Sequence, residues 1–224
     1  MQARRLQYRD RWLCYIDLLG FTELVRSAEV DTVIEAYEDV IAKLETGASA
    51  KRSLGISYSW FSDTFIIFSR GNTLEEFTWV EQASRLFFQR LILANIPARG
   101  ALSHGKLYSQ LEKNIFIGEA LIEAYEYGED QNWLGLLLAP SIFRQLKDTQ
   151  LDVRQRYNYR PAPSQGVMRL LEPANVLAFA FNNVTVSGAN PLLAAIRQMK
   201  RKAPEAYRGK YQRTEDFIVK HKQA

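Results

Sequence analysis

Several groups that anchor common protein chemistries are scarce in this sequence of 224 residues. Its one cysteine, Cys14, allows no internal disulfide, so we expect a small core residue in a reducing, cytoplasmic protein. The two histidines, His104 and His221, are too few for a His-rich metal site. No Gly-Lys-Ser/Thr loop and no Gly-x-Gly-x-x-Gly motif occurs. No apolar run reaches the length of a membrane span, so we expect no membrane partner.

The composition predicts one soluble globular domain over residues 1–224. Hydrophobic residues make up 47% of the chain and charged residues 24%. The net charge is +4, and the basic excess gathers at both ends, most of all in a helical C-terminal extension over about 190–224. A basic balance favours polyanionic ligands such as nucleotides. For the C-terminal run a solvated helix face is the simpler interpretation, and we expect no nucleic-acid partner.

Residues 15–22 form the centre of the sequence pattern. They are typical of a buried strand that breaks at Gly20 and runs into a helix, with Asp17 at the break. A second acid, Asp63, has a matching setting at a hydrophobic strand end. A lone strand-end aspartate is more often a turn former, but two such acids suit a metal, which takes carboxylate oxygens. The N–H groups of residues 19–22 are expected to point at phosphate oxygens at the start of the helix.

The first half of the chain predicts an α+β fold with a ferredoxin-like βαββαβ core. The pattern indicates a strand at 12–18, a helix at about 22–44, hairpin strands at 54–60 and 64–69, a helix after a capping box at 73–76, and a strand at 98–108. This element order is that of the split βαβ arrangement. In it we expect the first strand to lie beside the first member of the hairpin, so that Asp17 and Asp63 converge at one end.

The second half has a less regular pattern. We expect a short strand and a helix over 115–127, a strand at 133–138, a helix at 141–146, a polar surface excursion over 151–166, and a final strand pair at 166–171 and 176–181. One helix begins at Asn190-Pro191 and a second follows Pro204. The core therefore spans about 12–181.

Four motifs over about residues 12–140 give the chain a family resemblance. In order and spacing they resemble the catalytic domain of class III nucleotidyl cyclases, and the first motif together with the two aspartates Asp17 and Asp63 is the most specific part. The motifs are Tyr15-Ile16-Asp17-Leu18-Leu19-Gly20-Phe21-Thr22, Ser62-Asp63, Ala98-Arg99-Gly100-Ala101-Leu102-Ser103-His104-Gly105 and Phe116-Ile117-Gly118-Glu119-Ala120-Leu121-Ile122-Glu123-Ala124.

The resemblance implies a reaction and a site. Two divalent metals, Mn²⁺ or Mg²⁺, would be held by Asp17, Asp63 and the main chain of Leu18. The ribose 3′ hydroxyl of a nucleoside triphosphate would attack the α-phosphate and expel pyrophosphate. The resemblance further implies a homodimer with composite active sites. The predicted nucleotide contacts are Leu18, Leu19, Gly20, Phe21, Thr22, Tyr58 and Ser59.

The chain departs from the family pattern at two places. Ser59 stands where purine cyclases carry a base-reading Lys, and Tyr58 lies beside it. Ile122 and Glu126 stand where the family carries a transition-state Asn and Arg, in our best register. Phosphate contacts would then come from elsewhere, for example from Arg99, which we count with Asp17 and Asp63 as a catalytic candidate. Arg99 could equally pair with a surface acid.

Three functions stay open. The compact chain and its fourth motif look like the Pycsar antiphage pyrimidine cyclases, which implies a cyclic UMP or cyclic CMP messenger in antiviral defence, with UTP preferred over CTP and ATP a poor substrate. Tyr58 and Trp60, on either side of Ser59, would then narrow the base pocket, although a tyrosine in a strand is more often a packed residue. The alternatives are an adenylate cyclase with unusual base contacts and a cyclase-like module that binds nucleotide without turnover.

Overall fold

The computed structural model describes residues 8–26, 56–163, 166–173, 175–179 and 190–221, together with single positions between 31 and 42. Residues 22–26 of the predicted 22–44 helix form part of the first helix, and the single positions between 31 and 42 are helical. The other residues of that predicted helix lie outside the described residues, as does the end of the last predicted strand. The elements are β1 (Arg9–Leu18), α1 (Phe21–Arg26), β2 (Ile56–Phe61), β3 (Thr64–Ser69), α2 (Leu74–Leu93), β4 (Ala98–Gln110), β5 (Ile115–Ile117), α3 (Glu119–Glu129), β6 (Leu136–Leu138), α4 (Pro140–Leu146), α5 (Val153–Tyr157), β7 (Tyr159–Pro161), β8 (Leu177–Phe179), α6 (Pro191–Lys202) and α7 (Glu205–Lys220).

One mixed sheet organises the molecule and confirms the α+β prediction. Its strand order is β2-β3-β1-β4-β6-β8-β7, and β5 pairs with β4 outside that path. The pair β4–β6 is parallel, and the other pairs are antiparallel. The first strand lies beside β3, the second member of the hairpin, so the expected neighbour was wrong. The crossover from β1 leaves β2 at the sheet edge, and the tight hairpin turn then returns β3 to the side of β1.

Strand β1 is buried on both faces because helices cover both sides of the sheet. Trp12, Cys14 and Ile16 point into a core that α2, α6 and α7 complete. Leu13 and Tyr15 alternate with them and pack under α3. Burial raises the pKa of the Cys14 thiol to about 12, as fits a core residue. Each fully buried large side chain contributes roughly 2 kcal/mol.

Local signals at the helix starts are confirmed. Thr73 and Glu76 form the capping box that begins α2, each side chain accepting the other's backbone N–H. The Asn190 side chain accepts from Leu193 N–H at 3.1 Å, and Pro191 occupies the first turn of α6. Caps of this kind contribute about 1 kcal/mol each. No helix in the described segments has the length and apolar character that crossing a bilayer requires.

The region after residue 150 differs from the prediction. The expected surface excursion over 151–166 contains α5 and β7, and Tyr159 is fully buried. The partners of β8 are β6 and β7, whereas 166–171 forms no strand and joins the rest by a single bridge between Met168 and Gln131. The carboxylate of Asp130 accepts the backbone N–H groups of residues 169–171. These N–H groups therefore need no neighbouring strand as a hydrogen-bond partner.

Candidate active site

The two aspartates meet at one end of the sheet. Asp17 is the next-to-last residue of β1 and lies opposite Thr64 of β3 and Arg99 of β4. The backbone N–H of Leu18 donates to the carbonyl oxygen of Asp63 at 3.0 Å. Asp63 occupies the two-residue turn between β2 and β3. The hairpin turn thus places the second acid beside the end of β1.

Asp17 lies in an electrostatically strained setting. Burial and the neighbouring Glu129 carboxylate raise its pKa to about 7, with a further contribution from Asp63. Arg99 acts in the opposite direction, because its Nε donates to Oδ2 of Asp17 at 3.2 Å. A cation bound between the two aspartates would favour the charged form of Asp17. The site therefore has a surplus of negative charge where a metal could be held.

Arg99 is a buried link and not a free guanidinium. Its Nη1 donates to the carbonyls of Glu129 at 2.6 Å and Gln131 at 3.0 Å, and its Nη2 pairs with the Glu129 carboxylate. With Nε on Asp17, all three nitrogens are engaged. The partners of Arg99 are thus partly buried acids, unlike the surface acid considered from the sequence. Sequence reasoning missed Glu129, since nothing local marks the last residue of α3 as the partner of a strand residue.

The described donor set fits a divalent metal. Asp63 is half-buried, and no hydrogen bond engages its carboxylate, or Oδ1 of Asp17, within the described ranges. The same ranges contain no group of three or more His, Cys, Asp or Glu side chains placed to hold a metal. Mg²⁺ is commonly held by one or two carboxylates, with water and substrate phosphates completing its shell. Two carboxylates match that pattern, and the contribution of Leu18 stays a prediction.

The turn after β1 offers part of the predicted phosphate cradle. Gly20 adopts a positive φ of 73°, a conformation that glycine takes without cost, and α1 begins directly after it. The Leu19 N–H donates to the carbonyl of Pro97 at 2.8 Å, so the expectation that it faces phosphate was wrong. The N–H groups of Gly20, Phe21 and Thr22 have no acceptor in the part of the chain that the structure describes. These three stay candidates for phosphate contact.

An open apolar cleft adjoins Asp17 between the sheet and α3. Its volume is about 520 Å³. Thr64, the residue opposite Asp17, lies in its wall. Ile122 and Glu126 line it as well, so the structure places side chains without Asn or Arg chemistry there. The lining residues are Tyr15, Thr64, Ile66, Leu121, Ile122, Tyr125 and Glu126.

The two candidate base contacts on β2 face opposite sides of the sheet. Tyr58 packs into the core under α2, and its ring stacks on Phe65 with centroids 5.9 Å apart. Ser59 pairs with Ile66 and so lies on the cleft face, the side of Asp17. The prediction that Tyr58 lines the base pocket therefore requires correction, because successive strand residues alternate in direction. Ser59 keeps its place near the site.

Comparisons with known proteins identify the fold. No family model matches the chain, and no curated protein sequence matches it. Solved structures do match. The adenylyl cyclase CyaB from P. aeruginosa is 12% identical and covers 82% of this chain and 98% of its own, with a TM-score of 0.50. The guanylate cyclase domain of RhGC from Catenaria anguillulae, in complex with GTP, is 11% identical, covers 76% and 96%, and has a TM-score of 0.51.

A third match adds an oligomeric form. The non-canonical dimeric guanylyl cyclase domain of the RhoGC fusion protein from the aquatic fungus Blastocladiella emersonii is 10% identical, covers 76% of this chain and 93% of its own, and has a TM-score of 0.52. Identity at this level establishes shared architecture. The chain has the fold of the class III adenylyl and guanylyl cyclase catalytic domains.

Proposed function

We propose that this protein is a nucleotidyl cyclase that converts a nucleoside triphosphate to its 3′,5′-cyclic monophosphate and pyrophosphate. The observation that carries the proposal is the convergence of Asp17 and Asp63 at one sheet end, beside the Gly20 turn. The cyclase-type fold supports it, and the names of the similar structures supply the reaction class.

The reaction needs little from the chain besides positioning. The 3′ oxygen forms a bond to the α-phosphorus, the bond to the β-phosphate oxygen breaks, pyrophosphate leaves with that electron pair, and the 3′ hydroxyl gives up its proton. Two divalent cations, Mn²⁺ or Mg²⁺, would neutralise the phosphates and lower the pKa of the 3′ hydroxyl when bound. Asp17 and Asp63 would hold them, and Arg99 fixes the orientation of Asp17.

For the base we propose a pyrimidine, with UTP preferred over CTP and ATP poor. Ser59 lies on the cleft face where a purine-reading Lys would stand, and its short hydroxyl can donate to or accept from either pyrimidine. The preference for UTP, and a messenger role in antiviral defence, rest on the resemblance to Pycsar cyclases. A purine substrate is the rival, since the similar structures are described as adenylyl and guanylyl cyclases.

We further propose a homodimer through the cleft face. Large apolar side chains stay exposed on α3, which lines the cleft, and on the strands β2 and β5. Contiguous exposed apolar surface of this kind marks an interface, and a second copy would complete the half-open cleft. One similar structure is described as a non-canonical dimer, and the same domain is described as monomeric in another. The exposed side chains are Phe61, Ile117, Ile122 and Tyr125.

A nucleotide-binding module without turnover is the second candidate. Ile122 and Glu126 favour it, because they line the cleft at the positions that the family uses for transition-state stabilisation. Neither side chain can donate a hydrogen bond from a positive or amide group to a phosphate. This module would bind triphosphate at the same aspartates and release no pyrophosphate.

One experiment separates these functions. The purified full chain is incubated with each of the four nucleoside triphosphates and Mn²⁺ or Mg²⁺, and cyclic nucleotide and pyrophosphate are measured. We expect turnover by the wild type and a loss of about 100-fold or more in Asp17→Asn and Asp63→Asn. Asp148→Asn, an exposed aspartate away from the site, is the matched control. Near-normal turnover by Asp63→Asn would overturn the two-metal proposal, and binding without turnover would select the module.

A further inference from the structure

The C-terminal helix α7 is attached to the segment that carries the active-site arginine network. Thr214 is fully buried and its Oγ1 accepts from the backbone N–H of Leu134 at 2.9 Å. Nε of Arg213 donates to the carbonyl of Asn132 at 2.7 Å. The neighbouring carbonyl of Gln131 accepts from Arg99. These bonds hold the middle of α7 beside Arg99.

Lys210 stands on the same side of α7, one turn before Arg213 and Thr214. It is half-buried, and no carboxylate pairs with it in the described segments. Its ammonium nitrogen lies 5.8 Å from the centre of the Tyr207 ring. Burial lowers its pKa first, the positive charges of Arg99, Arg169 and Arg213 lower it further, and Asp17 raises it. Lys210 precedes Arg213 by one turn of α7, and Arg213 and Arg99 donate to the neighbouring carbonyls of Asn132 and Gln131, so Lys210 lies on the side of α7 that faces the Arg99 network.

Two of those arginines keep unused donors. Arg169 binds the backbone carbonyls of Glu129 and Asp130 through Nη2 and Nε, and no acceptor engages its Nη1 among the described residues. Arg213 uses only Nε, and neither Nη has an acceptor in the same ranges. Arg99, in contrast, has every nitrogen engaged. Among these three, the arginines with donors left to bind an anion are therefore Arg213 on α7 and Arg169, whereas each nitrogen of Arg99 on β4 already has an acceptor.

Two other basic residues of the C-terminal helices are already paired with an acid and are not available to a ligand. Arg197 and Lys200 both bind the carboxylate of Glu215, at 2.7 and 2.6 Å. A duplex or single strand would need a longer unpaired basic track to replace its counterions. A short run of phosphates needs only a few donors, and lysine and arginine match phosphate oxygens well.

We propose that Lys210, Arg213 and Arg169 form a polyphosphate-binding subsite that holds the β- and γ-phosphates of the nucleotide beside Asp17. This assignment rests on the proposed function for the identity of the nucleotide, while the subsite itself stands on the cation cluster. The C-terminal extension then supplies substrate-binding groups to the cyclase-type core. Release of pyrophosphate would take place from the same cations.

The test uses inorganic tripolyphosphate as the probe and the full chain. Isothermal titration calorimetry measures its affinity, with and without Mg²⁺, for the wild type, Lys210→Gln and Lys220→Gln. Lys220 is the matched control, an exposed lysine on the same helix about 15 Å further along. We expect Lys210→Gln to bind about tenfold more weakly, as for the loss of one charge-assisted contact, and Lys220→Gln to bind as the wild type does.

A fold readout and a kinetic readout complete the test. Lys210→Gln should melt at or above the wild-type temperature, because the change removes a charge that lies among other positive charges. If the chain is a cyclase, Lys210→Gln should raise KM about tenfold with little change in kcat. Weaker tripolyphosphate binding in a chain that turns over no triphosphate would keep the subsite and reject the cyclase. Unchanged affinity and KM in Lys210→Gln, in an active enzyme, would reject the subsite alone.

Discussion

Asp17 and Arg99 lie opposite each other on the antiparallel strands β1 and β4, and Nε of Arg99 donates to Oδ2 of Asp17 at 3.2 Å. The same guanidinium holds the carboxylate and carbonyl of Glu129 at the end of α3. Arg99 thereby ties the candidate metal site to the helix that lines the cleft.

Removal of Arg99 should destabilise the protein strongly. Arg99→Ala leaves Asp17 and Glu129 as neighbouring, largely buried carboxylates without a counter-charge, which costs about 3 kcal/mol in free energy of unfolding. Urea denaturation at pH 8 measures this loss. Arg144→Ala is the control, since that side chain is 71% exposed and its ion pair with Glu123 is worth less than about 0.5 kcal/mol. Equal losses in the two variants would show that Arg99 has no special structural role.

The stability of the metal-free protein should fall as the pH rises towards neutrality, in part because of Glu81. Burial raises the pKa of this carboxyl to about 7, although Arg85, whose Nε donates to Oε1 of Glu81 at 3.0 Å, favours its charged form. Between about pH 4.5 and 7 the folded chain therefore holds a proton that the unfolded chain has lost. The free energy of unfolding decreases over that window by roughly 3 kcal/mol from this group and is constant above it.

Glu81→Gln should make that pH dependence shallower. The variant carries no titrating group at this position, so its loss of stability between pH 5 and 7.5 should be smaller than that of the wild type. Denaturant midpoints measured across that range supply the comparison. Glu112→Gln, at an exposed position, should follow the wild-type curve. Parallel curves for Glu81→Gln and the wild type would mean that Glu81 titrates near its ordinary pKa.

A charge on the cleft face should dissociate the proposed dimer. Ile122 on α3 is 58% exposed at the cleft, and Ile122→Asp would place an uncompensated carboxylate in an apolar interface. Light scattering after size exclusion should show a monomer, with turnover reduced in parallel. Leu86→Asp is the control, because Leu86 is 44% exposed on α2, which covers the other face of the sheet. Dissociation by Leu86→Asp alone would relocate the interface.

Substitutions of Tyr58 and Ser59, which are neighbours on β2, should change different properties of the protein. The first should lower its stability, and the second should change its preference among the bases. Tyr58→Ala removes a ring stacked on Phe65 and should lower the free energy of unfolding by roughly 2 kcal/mol, with base preference unchanged. Ser59→Ala should shift the preference among the four triphosphates in a competition assay, with little change in stability. Val219→Ala, at a 51% exposed position on α7, is the stability control. A shift towards purines in Tyr58→Ala would restore Tyr58 to the pocket.

Sequence patterns were sufficient for the core strands and for placing the two aspartates at strand ends, because each depends on local alternation and turn chemistry. The role of these aspartates as metal ligands stays a prediction. Strand β2 carried the signal that corrects Tyr58 as well. Ile56, Tyr58 and Trp60 alternate with two serines, which indicates that the tyrosine belongs to the apolar side. At this position the alternation of apolar residues and serines predicts the direction of the Tyr58 side chain, and the family resemblance does not.

Other features had no local signal. Glu129 reaches the site only through the tertiary packing of α3, and α7 joins the neighbouring segment only through tertiary contacts such as the bond from Arg213 to Asn132. Strand β7 has three residues, too few for a period of two to emerge from the polar residues around it. The capping of residues 169–171 by Asp130 joins positions about 40 residues apart, so no turn motif announces it.

The distance in sequence between Asp17 and Arg99 has a consequence for protein synthesis. Their pairing spans 82 residues, so a ribosome adding 5–20 residues per second needs roughly 4–16 s between them. During that interval β1 can pair with β3 but not with β4, so the backbone N–H and C=O groups along one edge of β1 stay unpaired. Such an edge can pair with other chains, which makes the nascent protein most vulnerable to aggregation before β4 emerges.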